Sequence, residues 1–339
     1  PDLSFIFQVA DSIAQHMNGY KVVVTKSTVP TGTGAQIEEI LRTKNGKYKF
    51  SVVSNPEFLR EGSAIEDFMH PDRVVIGSRD EEAIAIVKDV YSPLAIGGVP
   101  FVVTDVESAE LIKYASNGFL ALKISFINEM ATMCERMGAD VKDVARGMGL
   151  DKRIAPHFLL PGPGYGGSCF PKDSSAVVDL AKKNGYTFQI MEAVLAVNDD
   201  VKARIVEKVE KVCGDVKGKR IAVLGIAFKP ETDDIRESAS LKLIRDLQQR
   251  GATVSTYDPA AMENAKKELS DVAFCEDVYS CADGADAIVL ATDWNQFRKL
   301  DFDRLEKTMR SKSFIDLRNL YEPKEMKKLG WSYVGVGRS

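Results

Sequence analysis

Apolar residues in the first hundred positions alternate between helical and strand-like spacing. Ile6, Val9 and Ile13 recur at helical spacing over residues 3–17, and Lys21–Thr25 is a short apolar run typical of a strand. Further elements are predicted as strands at 50–53, 73–76 and 101–103, and as helices after 32–34 and over 80–91. This alternation predicts a mostly parallel sheet covered by helices.

The stretch from 104 to 138 predicts one long helix. It contains no proline and a single interior glycine, and apolar residues persist at helical spacing. Thr104 followed by Glu107 predicts a capping box at its start, and Gly138 predicts its end. Further helices are expected over 141–148 and 172–184, and a long amphipathic helix over 191–213.

The alternating pattern returns after residue 218. Strands are predicted at 220–224, 253–257, 287–290 and 313–315, with helices over 238–250 and after Pro259. The expected fold class is therefore α/β, with two Rossmann-like parallel-sheet domains joined by a helical central domain that contains the long helix. The expected domains are residues 1–104, 105–214 and 215–339.

Composition limits the classes of partner. A net charge of −4 over 339 residues, without long charged runs, gives no electrostatic reason to expect nucleic acid or a membrane surface as a partner. No apolar stretch approaches the roughly 20 residues that span a bilayer, and the start shows no targeting pattern. A cytoplasmic protein with a small-molecule partner is expected.

The cysteines and histidines do not form a metal site in the sequence. The cysteines are odd in number and contain no C-x-x-C pair, which favours reduced thiols: Cys134, Cys169, Cys213, Cys275 and Cys281. The three histidines, His16, His70 and His157, are widely separated and lack ligand spacing, so no bound metal is expected.

The most specific chemical motif is Gly166–Asp173, with the sequence GGSCFPKD. Pro171 suits the first turn of a helix, so Cys169 is expected just ahead of a helix N-terminus and close to Lys172. Both surroundings favour the thiolate form of a cysteine, which is the nucleophile. The other four cysteines fit the alternative of an inert, buried thiol better.

Two pairs with four-residue spacing are weaker signals. Lys113 and Asn117 share a face of the long helix, where the lysine could stabilise a developing alkoxide or, if desolvated, accept a proton; a partly exposed helix face is the alternative. Glu57 and Glu61, in the motif NPEFLREG, could share a helix face too. A carboxylate pair with this spacing is more often a solvated surface.

Polar residues follow several strands, at the edge where ligands bind in open parallel sheets. Ser27 and Thr28 follow the strand 21–25, although capping the next helix would explain them equally well. Phe228 and Lys229 follow the strand 220–224, and Arg236 and Arg318 are expected nearby. An aromatic ring with these cations could bind an anionic nucleotide.

These motifs, in this order and spacing, resemble those of the UDP-glucose/GDP-mannose dehydrogenase family over essentially the whole chain. GGSCFPKD together with NPEFLREG is closest to its bacterial members. Family members begin with a strand, a G-x-G-x-x-G turn and a helix that hold the NAD pyrophosphate, and no such turn stands near residue 1. The resemblance therefore implies that roughly 80–100 residues of that unit are absent.

The resemblance also assigns roles to the three expected domains. Residues 1–104 would be the second half of the NAD-binding domain, 105–214 the central and dimerisation domain, and 215–339 the UDP-sugar-binding domain. The implied reaction is the NAD-dependent, four-electron oxidation of UDP-glucose to UDP-glucuronate through a thiohemiacetal and a thioester on Cys169. A related nucleotide sugar, GDP-mannose or a UDP-N-acetylhexosamine, is the alternative substrate, and a binding and dimerisation module without catalysis is the other alternative.

Individual roles follow from the same resemblance. Lys113 and Asn117 would stabilise the oxyanion, Asp173 and Thr28 would position a water or relay a proton, and Glu57 would be the base for thioester hydrolysis. The first proton acceptor is either Lys113 or a water bound to Asp173.

The resemblance further implies binding residues and an assembly. The cofactor NAD would be bound by Ser27, Thr28, Glu61, Lys172 and Arg236. The nucleotide sugar would be bound by Glu57, Phe58, Leu59, Lys113, Asn117, Arg153, Phe158, Tyr165, Gly166, Phe228, Lys229 and Arg318. Arg153 would reach the sugar site of a neighbouring subunit, in a homodimer formed through the central helix.

Overall fold

The computed structural model describes residues 2–45, 47–95 and 97–338, and these divide into two compact units. Unit 1 comprises residues 1–118 and 172–188, and unit 2 comprises residues 119–171 and 189–339. Each unit is thus assembled from two separate segments of the chain. The predicted domain boundaries near residues 104 and 214 remain a prediction.

The elements up to the central region alternate as the sequence pattern predicts. In chain order they are α1 Ser4–His16, β1 Lys21–Thr25, α2 Thr33–Asn45, β2 Phe50–Ser54, α3 Ala64–Met69, β3 Val74–Gly77, α4 Glu81–Val90, α5 Ser92–Ala95, β4 Phe101–Thr104, α6 Val106–Met137, α7 Val141–Gly149, α8 Phe170–Lys183 and α9 Gln189–Cys213.

A second alternating series completes the chain. Its elements are β5 Arg220–Leu224, α10 Ala239–Gln249, β6 Thr253–Tyr257, α11 Met262–Glu268, β7 Val272–Phe274, α12 Val278–Ala282, β8 Ala287–Leu290, a short 3-10 helix Asn295–Arg298, α13 Phe302–Thr308, β9 Ser313–Asp316, α14 Pro323–Lys328 and β10 Ser332–Gly335. The fold class is confirmed, although the short strands β7 and β10 and several short helices carry no clear sequence signal.

Unit 1 contains a four-stranded sheet in the order β1-β2-β3-β4. The pairs β1–β2 and β3–β4 are parallel, whereas β2 and β3 meet in an antiparallel contact between Ser54 and Gly77. Apolar residues of α1 and α2, among them Ala14 and Leu41, form a small core with residues of β1 and β2. The carboxyl ends of β1 and β2 therefore lie side by side.

The long helix α6 begins differently from the sequence prediction. Thr104 is the last residue of β4, and its carbonyl accepts a hydrogen bond from Ser78 N–H, so Thr104 does not cap the helix. Asp105 caps it instead, because its Oδ1 accepts from Ser108 N–H at 2.7 Å. The capping box predicted at Thr104 and Glu107 is therefore wrong by one residue at its start.

Unit 2 contains a six-stranded parallel sheet in the order β10-β9-β8-β5-β6-β7. If β5 is taken as strand 1 and β10 as strand 6, the order read from the β7 edge is 3-2-1-4-5-6, which is that of a Rossmann fold. The central strand β8 is buried along its whole length, as expected for a parallel strand covered on both faces. The strand order reverses between β5 and β8, and ligands bind at such a switch point.

Within the described ranges, no helix combines the length and the apolar character that crossing a membrane requires.

Arg338, near the end of the chain, forms ion pairs with residues at the starts of two helices of unit 2. Its side chain is 6% exposed, and its guanidinium lies 2.9 Å from Asp140 Oδ2 and 2.6 Å from Glu322 Oε2. Asp140 caps α7, and Glu322 directly precedes α14. Hydrogen bonds from Arg338 and then Lys142 lower the pKa of the Glu322 carboxyl to about 2.

We expect Arg338→Ala to lower the free energy of unfolding by roughly 1.5–3 kcal/mol at neutral pH, the range for hydrogen bonds to charged groups. The two carboxylates are partly exposed, and solvent screening keeps the loss below that of a fully buried pair. Urea denaturation followed by the fluorescence of Trp294 and Trp331, both buried in unit 2, measures the change.

The effect should depend on pH. Glu322 has a depressed folded-state pKa, so its contribution is present above its ordinary value of 4.5 and is lost as the pH falls toward about 2. The difference between Arg338→Ala and the parent should therefore shrink between pH 6 and pH 3. Arg146→Ala, which breaks an exposed pair with Asp143, is the control and should change stability by less than about 0.5 kcal/mol. Equal losses in both variants would contradict the role of Arg338.

Candidate active site

The loop of residues 159–169, which ends at Cys169, is fixed by two buried asparagines of unit 2. Gly162 N–H donates to Asn128 Oδ1 at 2.8 Å. Asn198 accepts from Tyr165 N–H at 2.8 Å and donates to the Tyr165 carbonyl at 3.2 Å. Because these asparagines project from α6 and α9, the loop backbone is held by the helical framework.

Cys169 is the exposed cysteine in this loop, and it directly precedes α8. Its Sγ lies 3.6 Å from Ser168 Oγ. The helix begins at Phe170, two residues earlier than predicted, so Pro171 lies in its first turn. The sulfur is therefore open to a reactant at the start of a helix.

The other cysteines differ from Cys169. Cys134 and Cys281 are buried, and burial raises the pKa of the Cys134 and Cys213 thiols. Cys275 departs from the expectation of an inert thiol, because a hydrogen bond with Cys281 lowers its pKa to about 7. The sequence carries no signal for this contact.

Glycines of the cysteine loop allow it to pack against the loop after β5. A Cβ on Gly167, whose φ is +79°, would stand 2.7 Å from the Phe228 ring, and one on Gly166 would stand 2.5 Å from the Glu237 carbonyl. Gly167 N–H donates to the Arg236 carbonyl at 2.8 Å. No side chain fits at these positions without displacing one loop from the other.

Aromatic residues surround the start of α8. The ring of Phe170 lies 6.1 Å from that of Phe158 and 6.0 Å, edge to face, from that of Tyr165. Phe158 adopts a φ of 65°, which is unusual for a bulky side chain. Arg153 projects into solvent with 89% of its side chain exposed and pairs with Asp151 at 2.6 Å.

A buried carboxylate holds the loop that follows β5. Asp258, 1% exposed at the end of β6, accepts hydrogen bonds from five N–H groups: those of Ile226 at 2.6 Å, Ala227 at 2.9 Å, Ala260 at 2.9 Å, Ala261 at 2.8 Å and the Trp294 indole at 3.2 Å. The amides of residues 226 and 227 are thereby satisfied without a ligand.

The carbonyls of the same loop are satisfied by side chains. The carbonyl of residue 226 accepts from Ser238 Oγ at 2.6 Å, and that of residue 227 accepts from Thr292 Oγ1 at 2.6 Å. The carbonyl of residue 228 accepts from Arg318 Nη2 at 2.9 Å. Arg318 Nε also donates to the Ala291 carbonyl at 2.8 Å and lies 3.7 Å from Asp293 Oδ1. Burial lowers the pKa of the Arg318 guanidinium.

The cysteine loop, Phe228 and Arg318 thus meet at the switch point of the unit 2 sheet. A Cβ on Gly162 would stand 3.4 Å from Arg318 Nη1. Lys229 Nζ lies 5.6 Å from the centroid of the Phe228 ring, a cation–π distance. This edge offers aromatic and cationic groups that suit an anionic nucleotide.

Unit 1 carries the second group of predicted residues. Lys113 is 3% exposed, and its Nζ lies 3.6 Å from Glu57 Oε1 and 5.1 Å from the Phe58 ring centroid. The Arg73 guanidinium also lies over the Phe58 ring, 3.7 Å from its centroid. The lysine predicted on α6 is therefore paired with a carboxylate of the NPEFLREG motif.

Asn117 and Asp173 also meet in unit 1. Asn117 Nδ2 donates to Asp173 Oδ2 at 2.6 Å, and Lys172 Nζ lies 2.8 Å from Asp173 Oδ1. Asp173 is 1% exposed, and burial together with this carboxylate raises the pKa of the neighbouring Tyr114 hydroxyl. The pairing of α6 with the first turn of α8 brings these three predicted side chains together.

The expectation that Glu57 and Glu61 share a helix face is wrong. Residues 55–62 form a loop, because Glu57 Oε2 accepts the N–H of Leu59, two residues ahead, and this local bond replaces a helical turn. Glu61 lies at the turn that ends this loop, beside Gly62 with a φ of 80°.

The loop after β1 carries the two predicted hydroxyls. Ser27 is exposed and Thr28 is half-buried, and Val29 anchors the loop in the interior. The loop is not a simple helix cap, since the amide of Gly34 at the start of α2 is bound by Glu110 instead. The alternative interpretation, in which Ser27 and Thr28 serve only to cap the next helix, therefore does not describe this loop.

Two buried carboxylates, Asp258 and Glu110, were missed by sequence reasoning. Asp258 follows directly on β6, and its place after a parallel strand could have identified it. Glu110 lies three and seven residues before Lys113 and Asn117, on the same helix face. Among the described residues, no group of three or more His, Cys, Asp or Glu could hold a metal ion.

Three family models match the chain in succession. All belong to the UDP-glucose/GDP-mannose dehydrogenase family: its NAD binding domain over residues 1–95, its central domain over 107–200 and its UDP binding domain over 222–323. The match of the NAD binding domain begins at residue 1 of this chain.

Known proteins resemble the chain along almost its whole length. It is 50% identical to a UDP-glucose 6-dehydrogenase of Rhizobium meliloti, over 99% of this chain and 78% of that protein. It is 47% identical to the UDP-glucose 6-dehydrogenase TuaD of Bacillus subtilis, over 99% of this chain and 73% of that protein.

Solved structures resemble it as well. A UDP-glucose dehydrogenase from the hyperthermophilic archaeon Pyrobaculum islandicum superposes with a TM-score of 0.91 and 41% identity, covering 100% of this chain and 76% of that one. A UDP-D-ManNAc dehydrogenase from Pyrococcus horikoshii follows with a TM-score of 0.86 and 28% identity, covering 100% and 78%. With its three successive domain matches and these relatives, the chain belongs to the UDP-glucose/GDP-mannose dehydrogenase family.

Proposed function

We propose that this chain catalyses the NAD-dependent, four-electron oxidation of UDP-glucose to UDP-glucuronate, with Cys169 as the nucleophile. The observation that carries the proposal is an exposed thiol at the start of a helix, on a loop whose backbone is hydrogen-bonded to Asn128 and Asn198. A buried thiol could not attack a sugar aldehyde, and a mobile one would lose the advantage of fixed geometry.

The residues of unit 1 fit the nicotinamide and ribose part of NAD. The β1–α2 loop presents the hydroxyls of Ser27 and Thr28 at the carboxyl end of a parallel strand. In the same loop, Thr31 Oγ1 is buried and has no hydrogen-bond partner among the described residues. Neutral hydroxyl groups suit ribose hydroxyls and a carboxamide. We propose that Ser27, Thr28, Glu61 and Lys172 of unit 1 bind NAD, and we also propose Arg236 of unit 2 as a binding residue.

NAD, when bound, would supply the hydride acceptor for both oxidations. Cys169 adds through its sulfur to the C6 aldehyde and forms a thiohemiacetal. After the second oxidation the sugar carbon is a thioester, and hydrolysis by one water releases the carboxylate and restores the thiol. Lys113 and Asn117 stabilise the oxyanion that develops on the sugar, since an ammonium and an amide N–H both favour negative charge.

Hydrolysis of the thioester needs an activated water. Asp173 and Thr28 position this water in our proposal, and Glu57 takes its proton. The ion pair of Glu57 with Lys113 and the hydrogen bond of Asn117 to Asp173 keep these groups in fixed orientations before substrate binds. The proton of the sugar alcohol passes either to Lys113 or to a water on Asp173, which both remain candidates.

The nucleotide sugar would be bound largely by unit 2. Phe228 offers an aromatic face, and Lys229 and Arg318 offer positive charge at the switch point of the sheet. We also propose Tyr165, Gly166 and Phe158 of unit 2 as binding residues. Phe58 and Leu59 of unit 1 are proposed binding residues as well. Higher identity to UDP-glucose enzymes, 41–50% against 28% for the UDP-D-ManNAc enzyme, favours glucose as the sugar.

Replacement of the proposed nucleophile should abolish turnover. We expect Cys169→Ser to lower the rate of NADH formation with UDP-glucose by at least about 100-fold, because a serine hydroxyl is a far weaker nucleophile at neutral pH. Cys275→Ser is the matched control, since Cys275 has thiolate character but lies elsewhere in unit 2, and it should keep most of the activity. Undiminished steady-state turnover in Cys169→Ser would rule out the covalent role.

The sugar preference is tested separately. In a side-by-side assay of UDP-glucose, GDP-mannose and two UDP-N-acetylhexosamines, we expect kcat/KM to be at least about 10-fold higher for UDP-glucose, the ratio that one lost polar contact produces. A higher value for any of the others would reassign the substrate and leave the chemistry of Cys169 intact.

We propose a homodimer formed through α6. Its unit 2 part exposes an apolar stripe at heptad-like spacing, and the exposed fractions are 61% for Phe119, 45% for Phe126, 50% for Met133 and 74% for Met137. Such a stripe on one helix face favours burial against a second copy. Lys123 of the same helix donates to the carbonyls of residues 154 and 155, beside Arg153, and so fixes the segment proposed to reach the partner.

A charge in this stripe should weaken the dimer. We expect Phe126→Glu to shift the protein from dimer to monomer in sedimentation velocity at micromolar concentration, because the carboxylate would be desolvated in the interface. Leu329→Glu replaces an apolar residue of similar exposure, 47%, at the end of α14 and should leave the mass unchanged. A monomeric parent, or an unaltered dimer in Phe126→Glu, would contradict the proposed interface.

A further inference from the structure

The loop that joins β1 to α2 is fastened at both ends. At its start, Lys26 Nζ donates to Asn55 Oδ1 at 3.0 Å and to the Tyr91 hydroxyl at 2.9 Å. At its end, the amides of Gly32 and Gly34 donate to the two oxygens of Glu110, each at 2.7 Å. Thr28 lies between these two anchors.

Glu110 is unusual because it is a buried glutamate. It is 2% exposed and, among the described residues, forms no ion pair with a lysine or arginine. Burial raises the pKa of its carboxyl, against the opposing effect of the two amide hydrogen bonds. A buried carboxylate without a cation is costly unless its oxygens are bound, and here two backbone amides bind them.

A carboxylate suits this place because both partners are donors. The first-turn N–H groups of a helix have no partner within the helix, and the first turn of α2 contains no acidic residue of its own. Glu110 supplies the acceptor from another helix. A glutamine would offer one oxygen and would turn an N–H group toward the second amide.

The residues around the contact are tightly packed. A Cβ on Gly34 would stand 2.4 Å from Val106 Cγ1 and 3.2 Å from Glu110 Oε1. A Cβ on Gly77, at the end of β3, would stand 2.4 Å from that of Ala109. The first turns of α6 are thus packed directly against the start of α2 and the end of β3.

Glu110 also shares its helix face with residues of the proposed reaction. Lys113 follows three residues later and Asn117 seven residues later on α6. One rigid helix therefore carries the oxyanion-stabilising pair and, through two amides, fixes the loop that carries Thr28. No other described contact joins the end of this loop to α6 through a charged group.

We infer that Glu110 is a positioning residue, which holds Thr28 in register with Lys113 and Asn117 through the amides of Gly32 and Gly34. This inference rests on the proposed function, in which Thr28 helps to place the hydrolytic water. Misplacement of that water by about 1 Å can slow a step by up to about 100-fold. Loss of the contact slows thioester hydrolysis more than hydride transfer, because hydrolysis depends on the water that Thr28 places.

The test is Glu110→Gln, mixed with UDP-glucose and NAD and quenched in acid at successive times. Intact-mass measurement should show a UDP-glucuronyl adduct on Cys169 that accumulates in the variant and stays scarce in the parent. We expect kcat to fall about 10-fold or more and KM for UDP-glucose to change less than about 3-fold. General destabilisation would lower the active fraction without trapping an adduct.

Glu107→Gln is the matched control, since Glu107 lies on the same helix and pairs at the surface with Arg79. It should behave as the parent does. Gly34→Ala disturbs the same contact from the loop side and leaves the carboxylate intact. It should also accumulate the adduct, and it replaces Glu110→Gln as the test if that variant does not fold. Hydrogen exchange adds a measurement independent of activity, because the amides of Gly32 and Gly34 should exchange faster in Glu110→Gln.

The outcomes separate two failures. A parent that turns over UDP-glucose, together with a Glu110→Gln variant of equal kcat and no adduct, would refute the positioning role and keep the proposed function. A parent without turnover would refute the proposed function. In that case unchanged exchange at Gly32 and Gly34 in the variant would refute the anchoring as well.

Discussion

A thiol that attacks a sugar must be open to solvent while the backbone beneath it stays in place. Cys169 meets both conditions, because its side chain is exposed and its loop is hydrogen-bonded to Asn128 and Asn198 on α6 and α9. The glycines of the loop allow it to lie against the Phe228 ring, where any Cβ would collide. The aromatic and cationic groups proposed to bind the nucleotide are therefore positioned by the same contacts that position the sulfur.

Buried carboxylates play the corresponding role for the loops that follow β1 and β5. Glu110 binds two backbone amides, and Asp258 binds four amides and an indole N–H. Each hydrogen bond to a charged group contributes roughly 1.5–3 kcal/mol, which offsets the desolvation of the carboxylate. In dinucleotide-binding sheets, an acid near the end of the second strand contacts the ribose. Asp258 stands at that place in the unit 2 sheet but binds protein amides, in keeping with the family's UDP binding domain over residues 222–323.

Local sequence pattern was sufficient for the main elements, because runs such as Lys21–Thr25 and Arg220–Leu224 combine β-branched residues with flanking turns. It failed where two local solutions compete: Thr104 and Asp105 could both cap α6, and the pairing of β4 with β3 leaves the cap to Asp105. The motif around Cys169 predicts the chemistry, but the roles of Glu110 and Asp258 depend on partners more than thirty residues away. An isolated glutamate on a helix has the same local signature as a solvated one, so only tertiary contact distinguishes them.

The most direct test of the four-electron mechanism is the ratio of NADH formed to UDP-glucose consumed. With UDP-glucose limiting and NAD in excess, absorbance gives the NADH and chromatography gives the remaining sugar nucleotide and its product. The account predicts two NADH and one UDP-glucuronate for each UDP-glucose, with no free aldehyde. One NADH for each UDP-glucose, with the aldehyde as the product, would contradict it.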